Sequence, residues 1–242
     1  MNFSFKKAER AQRELLKKLK LVPLKKEPRL IGGCDLTFLN PFKNPTLGIG
    51  AFVILKYPSL ELVEKVYDTT EVEIPYVPGF LAFREVPLLI KTYKKLKTKP
   101  DLIVVDGHGI AHPRRLGIAT HFGIVMNMPT IGCAKKPLYG EFEPPCNEVG
   151  CKSEIRDPKS GELLGYALRT RKGAKPIYVS PGNLITPQEA VEIALTLSKG
   201  YRIPEPTRLA HNYLQTIRKG IIQQNLRETE ERNGRREDSG NS

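Results

Sequence analysis

The chain has 242 residues and is 40% hydrophobic, enough to bury a sizeable core as one domain, and no run of about 18 apolar residues is free of charge, which excludes a membrane-spanning helix. A formal charge of +13 and a pI near 9.6 point to a polyanionic partner, nucleic acid before any other. Met1 to Leu19 is Lys-rich without the apolar core or cleavage site of a secretory signal, so a cytoplasmic protein is expected, and it is read as a monomer.

Ala8 to Leu19 reads as an amphipathic helix, with Leu15, Leu16 and Leu19 at helical spacing and Pro23 beyond its end. Extended segments follow at Arg29 to Phe38, Leu47 to Tyr57 and Leu60 to Thr70, the last two joined closely enough for an antiparallel hairpin. Ile74 to Gly79 carries Pro75 and Pro78 and is read as a stiff loop. A helix from Phe80, expected to kink at Pro87, leads to a strand at Leu102 to Val105, a glycine-rich loop, a helix near Arg115 to Met126 and a strand at Thr130 to Ala134. Past a looser stretch after Glu141, strands are expected at Leu163 to Thr170 and Ile177 to Ser180. Thr186-Pro187-Gln188-Glu189 then spells a capping box for a helix, and a last helix begins near Pro206. Residues 1–227 are read as one catalytic domain, and the charged segment 228–242, with no apolar anchor, as disordered. This order predicts an α/β fold, a mixed sheet with helices on both faces.

Four cysteines, Cys34, Cys133, Cys146 and Cys151, form no C-x-x-C pair and are read as free thiols. Asp106 closes the apolar run Leu102 to Val105 and opens a glycine loop, the place where open α/β sheets do chemistry. Asp35 lies in a similar run, and Glu85 sits on the helix between the two strands. Taken singly, a strand-end Asp more often caps a turn, a helical Glu is solvated and a lone His such as His211 is a core residue. Brought together, three carboxylates would repel one another until a divalent cation joined them, Mg²⁺ or Mn²⁺ rather than zinc, with His211 as water activator or further ligand. Such a site suits phosphodiester hydrolysis.

Several blocks carry a resemblance: Asp35 in its strand, Pro75-Tyr76-Val77-Pro78-Gly79-Phe80-Leu81-Ala82-Phe83-Arg84-Glu85, Val105-Asp106-Gly107-His108-Gly109 through Gly117, Ile131-Gly132-Cys133-Ala134-Lys135, and Pro204-Glu205-Pro206-Thr207-Arg208-Leu209-Ala210-His211. Together they closely resemble endonuclease V, over about residues 8 to 220. The resemblance implies a ribonuclease H-like fold and a Mg²⁺-dependent DNA repair nuclease. Its targets would be deaminated bases, chiefly inosine, with the second phosphodiester on the 3′ side hydrolysed.

By that resemblance Asp35, Asp106 and Glu85 hold the metal, and His211 and Lys135 complete the catalytic set. Pro75, Tyr76, Val77 and Pro78 form a wedge that separates strands. Gly79, Leu81, Gly107, Gly109, Gly117 and Ile118 wall a pocket for the extruded base, and Arg84 and His112 are candidate contacts to the nucleic-acid backbone. His121 is read as structural, and His108 departs from the glutamine also associated with its position. Inosine-containing RNA is an alternative substrate. A binding protein without turnover, or a junction resolvase, are rival readings of the same charge and fold.

Overall fold

The computed structural model describes residues 4–77 and 79–239. Helix α1 (Phe5–Leu16) precedes β1 (Leu30–Phe38), β2 (Thr46–Lys56) and β3 (Leu62–Val72). Then come α2 (Ala82–Lys94), β4 (Leu102–Val105), α3 (Ile118–Met126), β5 (Thr130–Ala134), β6 (Lys152–Arg156), β7 (Leu163–Leu168), β8 (Ile177–Asn183), α4 (Pro187–Thr196) and α5 (Glu205–Ser239). The strands form one mixed sheet in the order β3-β2-β1-β4-β5-β8-β7-β6. β1 pairs antiparallel with β2 and parallel with β4, and β4 pairs parallel with β5.

Alternation along the strands assigns the two faces. Cys34, Phe52, Ile54, Ile103 and Val105 pack against Ala82, Val86 and Leu89 of α2 and Ala119 and Phe122 of α3. Ile31, Leu102, Val104, Ile131 and Cys133 point the other way, into the layer holding Ala190, Val191 and Ala194 of α4. Helix α5 covers that same face further along, with Leu214 against Ile49 and Ala51, and Ala210 against Val53 and Leu55. The expected sheet with helices on both faces is therefore present. Continuing the alternation puts Asp35, Asp106 and Lys135 on the α4 and α5 side.

The capping box holds: Thr186 Oγ1 accepts from the Glu189 backbone N–H at 3.2 Å, and Glu189 accepts from the Thr186 N–H at 3.0 Å. Other expectations are corrected. α3 starts at Ile118, not Arg115, because Arg115 has φ +56°, a left-handed conformation that no helix continues through. β6, an edge strand of sequence Lys-Ser-Glu-Ile-Arg paired to β7, has one apolar residue and so gave no periodic signal. Cys146 and Cys151, read as free, are joined in a disulfide, since the intervening loop brings their Cα atoms to 5.6 Å, within bridging range. The backbone of α5 is helical as far as Ser239. Residues 240–242 lie outside the described residues. No described helix is long and apolar enough to cross a membrane.

Candidate active site

The neighbouring parallel strands β1 and β4 are in register at Cys34 and Val105, so the next residues, Asp35 and Asp106, leave the sheet side by side. His211 comes down onto them from α5, its Nδ1 2.7 Å from Asp35 Oδ2. One potential ligand atom from each of Asp35, Asp106 and His211 falls within 4.8 Å of the others. Lys135, one residue beyond β5, places Nζ 2.5 Å from Asp106 Oδ2. Both carboxylates are largely shielded, at 14% and 16% side-chain exposure, against 43% for His211 and 40% for Lys135. Burial and then the negative charge of Asp106 push the Asp35 carboxyl above its usual range, while the hydrogen bond from His211 pulls it back. Two hard oxygen donors and an imidazole carrying surplus negative charge are a donor set that fits a divalent cation.

Glu85 arrives from the opposite face of the sheet, on α2. It lines the same cavity as Asp35 and Asp106 but lies outside the group within 4.8 Å. Burial first, and Asp35 in addition, raise its carboxyl to about 7, against the lowering effect of Arg84. Arg84, expected as a contact to a nucleic-acid backbone, is 2% exposed. Its Nη1 donates to the Pro41 carbonyl at 2.8 Å and its guanidinium lies over the Phe38 ring at 4.1 Å, so it braces the β1–β2 connection and does not face solvent.

Above the carboxylates a cavity of about 510 Å³ is lined by Gly79, Leu81, Gly107, Gly117 and Ile118, five of the six residues expected for a base pocket. Gly109 does something else. A Cβ there would fall 2.1 Å from the Pro181 carbonyl oxygen, and its N–H donates to Ser180 Oγ at 2.9 Å, so it lets the loop pack against β8. Gly79 adopts φ +80°, a conformation glycine takes without steric cost. Its carbonyl accepts from Gln12 Nε2 of α1 at 3.2 Å and from Arg114 Nη2. Neither of these holders was identified in the sequence, although Gln12 on the apolar side of α1, four residues after buried Ala8, is a polar residue out of place.

Tyr76 is 45% exposed on the segment leading to Gly79; Pro75 and Val77 flank it, and Pro78 lies outside the described residues. His112 also lines the cavity. Its Nδ1 accepts from the Arg114 N–H at 3.1 Å, and burial, aided by Arg114, lowers its pKa to about 4, so at neutral pH it brings no positive charge to a phosphate. His108 is likewise lowered to about 4, chiefly by burial. His121, buried with its ring edge-on to Phe83 at 5.3 Å, fits the structural part expected of it.

The sequence over residues 13–212 matches the family model described as endonuclease V. Endonuclease V of Dictyoglomus turgidum is 45% identical over 209 residues, 86% of this chain and 89% of the relative. The crystal structure of the Bacillus subtilis endonuclease V is 34% identical, with a TM-score of 0.85 over 93% of this chain and 95% of that one. At 26% identity and a TM-score of 0.76, over 88% of this chain and 97% of the other, stands Ciona intestinalis endonuclease V in complex with a 24mer DNA containing an inosine followed by a ribo-adenosine. The sheet and its helices thus share the ribonuclease H-like fold of these nucleases, and the chain belongs to the endonuclease V family.

Proposed function

We propose that this protein is a Mg²⁺-dependent repair endonuclease that extrudes a deaminated base, chiefly inosine, from DNA and hydrolyses the second phosphodiester on its 3′ side. The observation that carries the reading is the placement of Asp35, Asp106 and His211 within 4.8 Å of one another, with the two aspartates lining a cavity whose wall is largely glycine backbone and apolar side chain. The Ciona relative holds DNA of the proposed class. The basic charge of +13 supplies the sequence-independent part of binding.

Asp35 and Asp106, with Glu85 approaching from α2, would hold the metal. A divalent ion there supplies electrostatic stabilisation of the charge that builds on a phosphodiester under attack. His211, held at Nδ1 by Asp35, leaves Nε2 to take a proton from an attacking water, the ordinary work of a positioned imidazole. Lys135 sits beside Asp106 to orient the phosphate. Gly79, Gly107 and Gly117 bring backbone close to the base edge, and the apolar side chains Leu81 and Ile118 flank the ring. Extrusion costs a few kcal/mol, least where pairing is already weak, which favours a deaminated adenine over an intact pair.

The test is a strand-specific nicking assay on labelled duplexes that carry one inosine or none, with Mg²⁺ or with EDTA. Cleavage at the second bond 3′ to inosine, dependent on the ion, is expected. Equal cutting of the undamaged duplex would refute base recognition, and preferential cutting of an inosine-bearing RNA would transfer the activity to RNA.

A further inference from the structure

The connection between β1 and β2 carries a phenylalanine that the catalytic reading leaves unused. Phe42 is 82% exposed, and its ring meets Tyr76 at a centroid distance of 5.3 Å with the planes inclined at 62°. The connection is well held. Leu39 N–H donates to the Leu47 carbonyl at 3.0 Å and Lys43 N–H to the Asn40 carbonyl at 3.0 Å, while Asn40 N–H donates to Thr46 Oγ1 at 3.2 Å. Arg84 grips it from below through Pro41 and Phe38, one residue before Glu85. The loop is thereby tied to the same helix that delivers a carboxylate to the cavity.

We propose that Phe42 is a second base-stacking residue, which takes an unpaired nucleobase next to the one met by Tyr76, with Arg84 as the residue that positions it. The inference rests on the reading that Tyr76 enters opened nucleic acid. Two rings inclined at 62° cannot lie flat on one base, so each offers its face to a different one. An exposed aromatic ring beside a cation is what single-stranded nucleic acid selects, since the ring stacks on a base while the cation meets the backbone. Lys43, next in sequence and exposed, supplies that cation. The alternative is that Phe42 only steadies the Tyr76 ring.

The two are separated by a double-mutant cycle of Phe42→Ala and Tyr76→Ala, with Phe42→Trp as a rescue. Affinity is read by fluorescence anisotropy on a labelled single strand and on an inosine duplex, with Ca²⁺ in place of Mg²⁺, and for the wild type also on the same duplex without inosine. Loss of one stacked base should weaken binding by about tenfold. The proposal expects Phe42→Ala to show that loss on both probes, Phe42→Trp to restore it, and the loss to persist when Tyr76 is already alanine. Affinity within about twofold of wild type on both probes, or a loss that vanishes in the Tyr76→Ala background, would overturn it. Should the wild type not prefer inosine duplex to plain duplex, the deaminated-base reading falls, and the single-strand series still decides the role of Phe42. Because Phe42 is so exposed, its substitution leaves the core untouched, and an unchanged unfolding midpoint verifies this for each variant.

Discussion

Replacing Glu85 with glutamine should make the metal-free protein more stable at alkaline pH, even though it removes a carboxylate from the candidate site. The Glu85 carboxyl is raised from 4.5 to about 7, mainly by burial. Between those values the folded protein keeps a proton that the unfolded chain has released, so rising pH favours unfolding. The contribution is fully present below 4.5 and is lost once pH passes about 7. At about 1.4 kcal/mol for each tenfold in proton affinity, it amounts to about 3 kcal/mol. Glutamine does not titrate. In EDTA, urea unfolding followed by circular dichroism should therefore find Glu85→Gln and wild type alike at pH 4, and the variant ahead by up to that amount at pH 8. Asp35 shifts in the same direction, but it is present in both proteins, so its shift from burial and from Asp106 cancels in the difference and only its coupling to Glu85 is left in it. Mg²⁺ should recover the wild type at pH 8 more than the variant. A stability gap that is the same at both pH values would show that the Glu85 carboxyl is not held in its neutral form by the fold, and the reasoning would fail.

Asp35→Ala and Asp106→Ala should each abolish Mg²⁺-dependent nicking while binding to inosine DNA survives; nicking at the wild-type rate in either variant would defeat the metal assignment. Tyr76→Ala should speed release of the nicked product by an amount equivalent to about 1 to 3 kcal/mol of stacking, without changing the Mg²⁺ concentration for half-maximal activity; equal product affinity in both proteins would reject the wedge. Gly33→Ala should lower both stability and nicking, because its Cβ would fall 2.1 Å from the backbone of Pro206 and overpacking of this kind costs about 1 to 3 kcal/mol. An unfolding midpoint and rate equal to wild type would show that α5 yields freely there.

Much of the fold was legible because the informative segments are short and strongly patterned. The apolar runs Leu102–Val105 and Thr130–Ala134 have the bounds expected of them, since four or five buried residues flanked by Pro, Asp and Lys admit little else. The capping box of α4 was readable for a similar reason: its hydrogen bonds are local to four residues. What escaped depends on contacts between distant segments. Nothing near Arg84 in sequence says that its guanidinium will be turned toward Phe38 and Pro41, and a basic residue beside a candidate metal ligand invites the opposite reading. Gly109 looks in sequence like its neighbour Gly107, yet only one lines the cavity, because the close approach of Pro181 to the other is a property of the sheet order. Of the acids, Asp35 and Asp106 follow from strand neighbours in register. Glu85 follows only from how α2 packs, which is why it reaches the cavity but not the tight group.

The meeting of His211 with Asp35, 176 residues apart, has a simple geometric basis in the missing Cβ of Gly33. Without a side chain at that position the start of α5 lies directly on β1, with Pro206 where the Cβ would be. From that contact to Asp35 is two residues of strand, about 6.6 Å at 3.3 Å per residue. Five residues of helix from Pro206 to His211 rise about 7.5 Å. The two lengths agree to about 1 Å, so a helix anchored at Pro206 and running along β1 arrives beside the aspartate without further adjustment. Alternation does the rest: Gly33 and Asp35 share a face, so the residue that admits the helix and the residue that meets its histidine are two apart on one strand. The glycine in front of Asp35 is therefore part of how the site is built, and its lack of a side chain sets the distance at which an imidazole from the end of the chain can serve a carboxylate from its beginning.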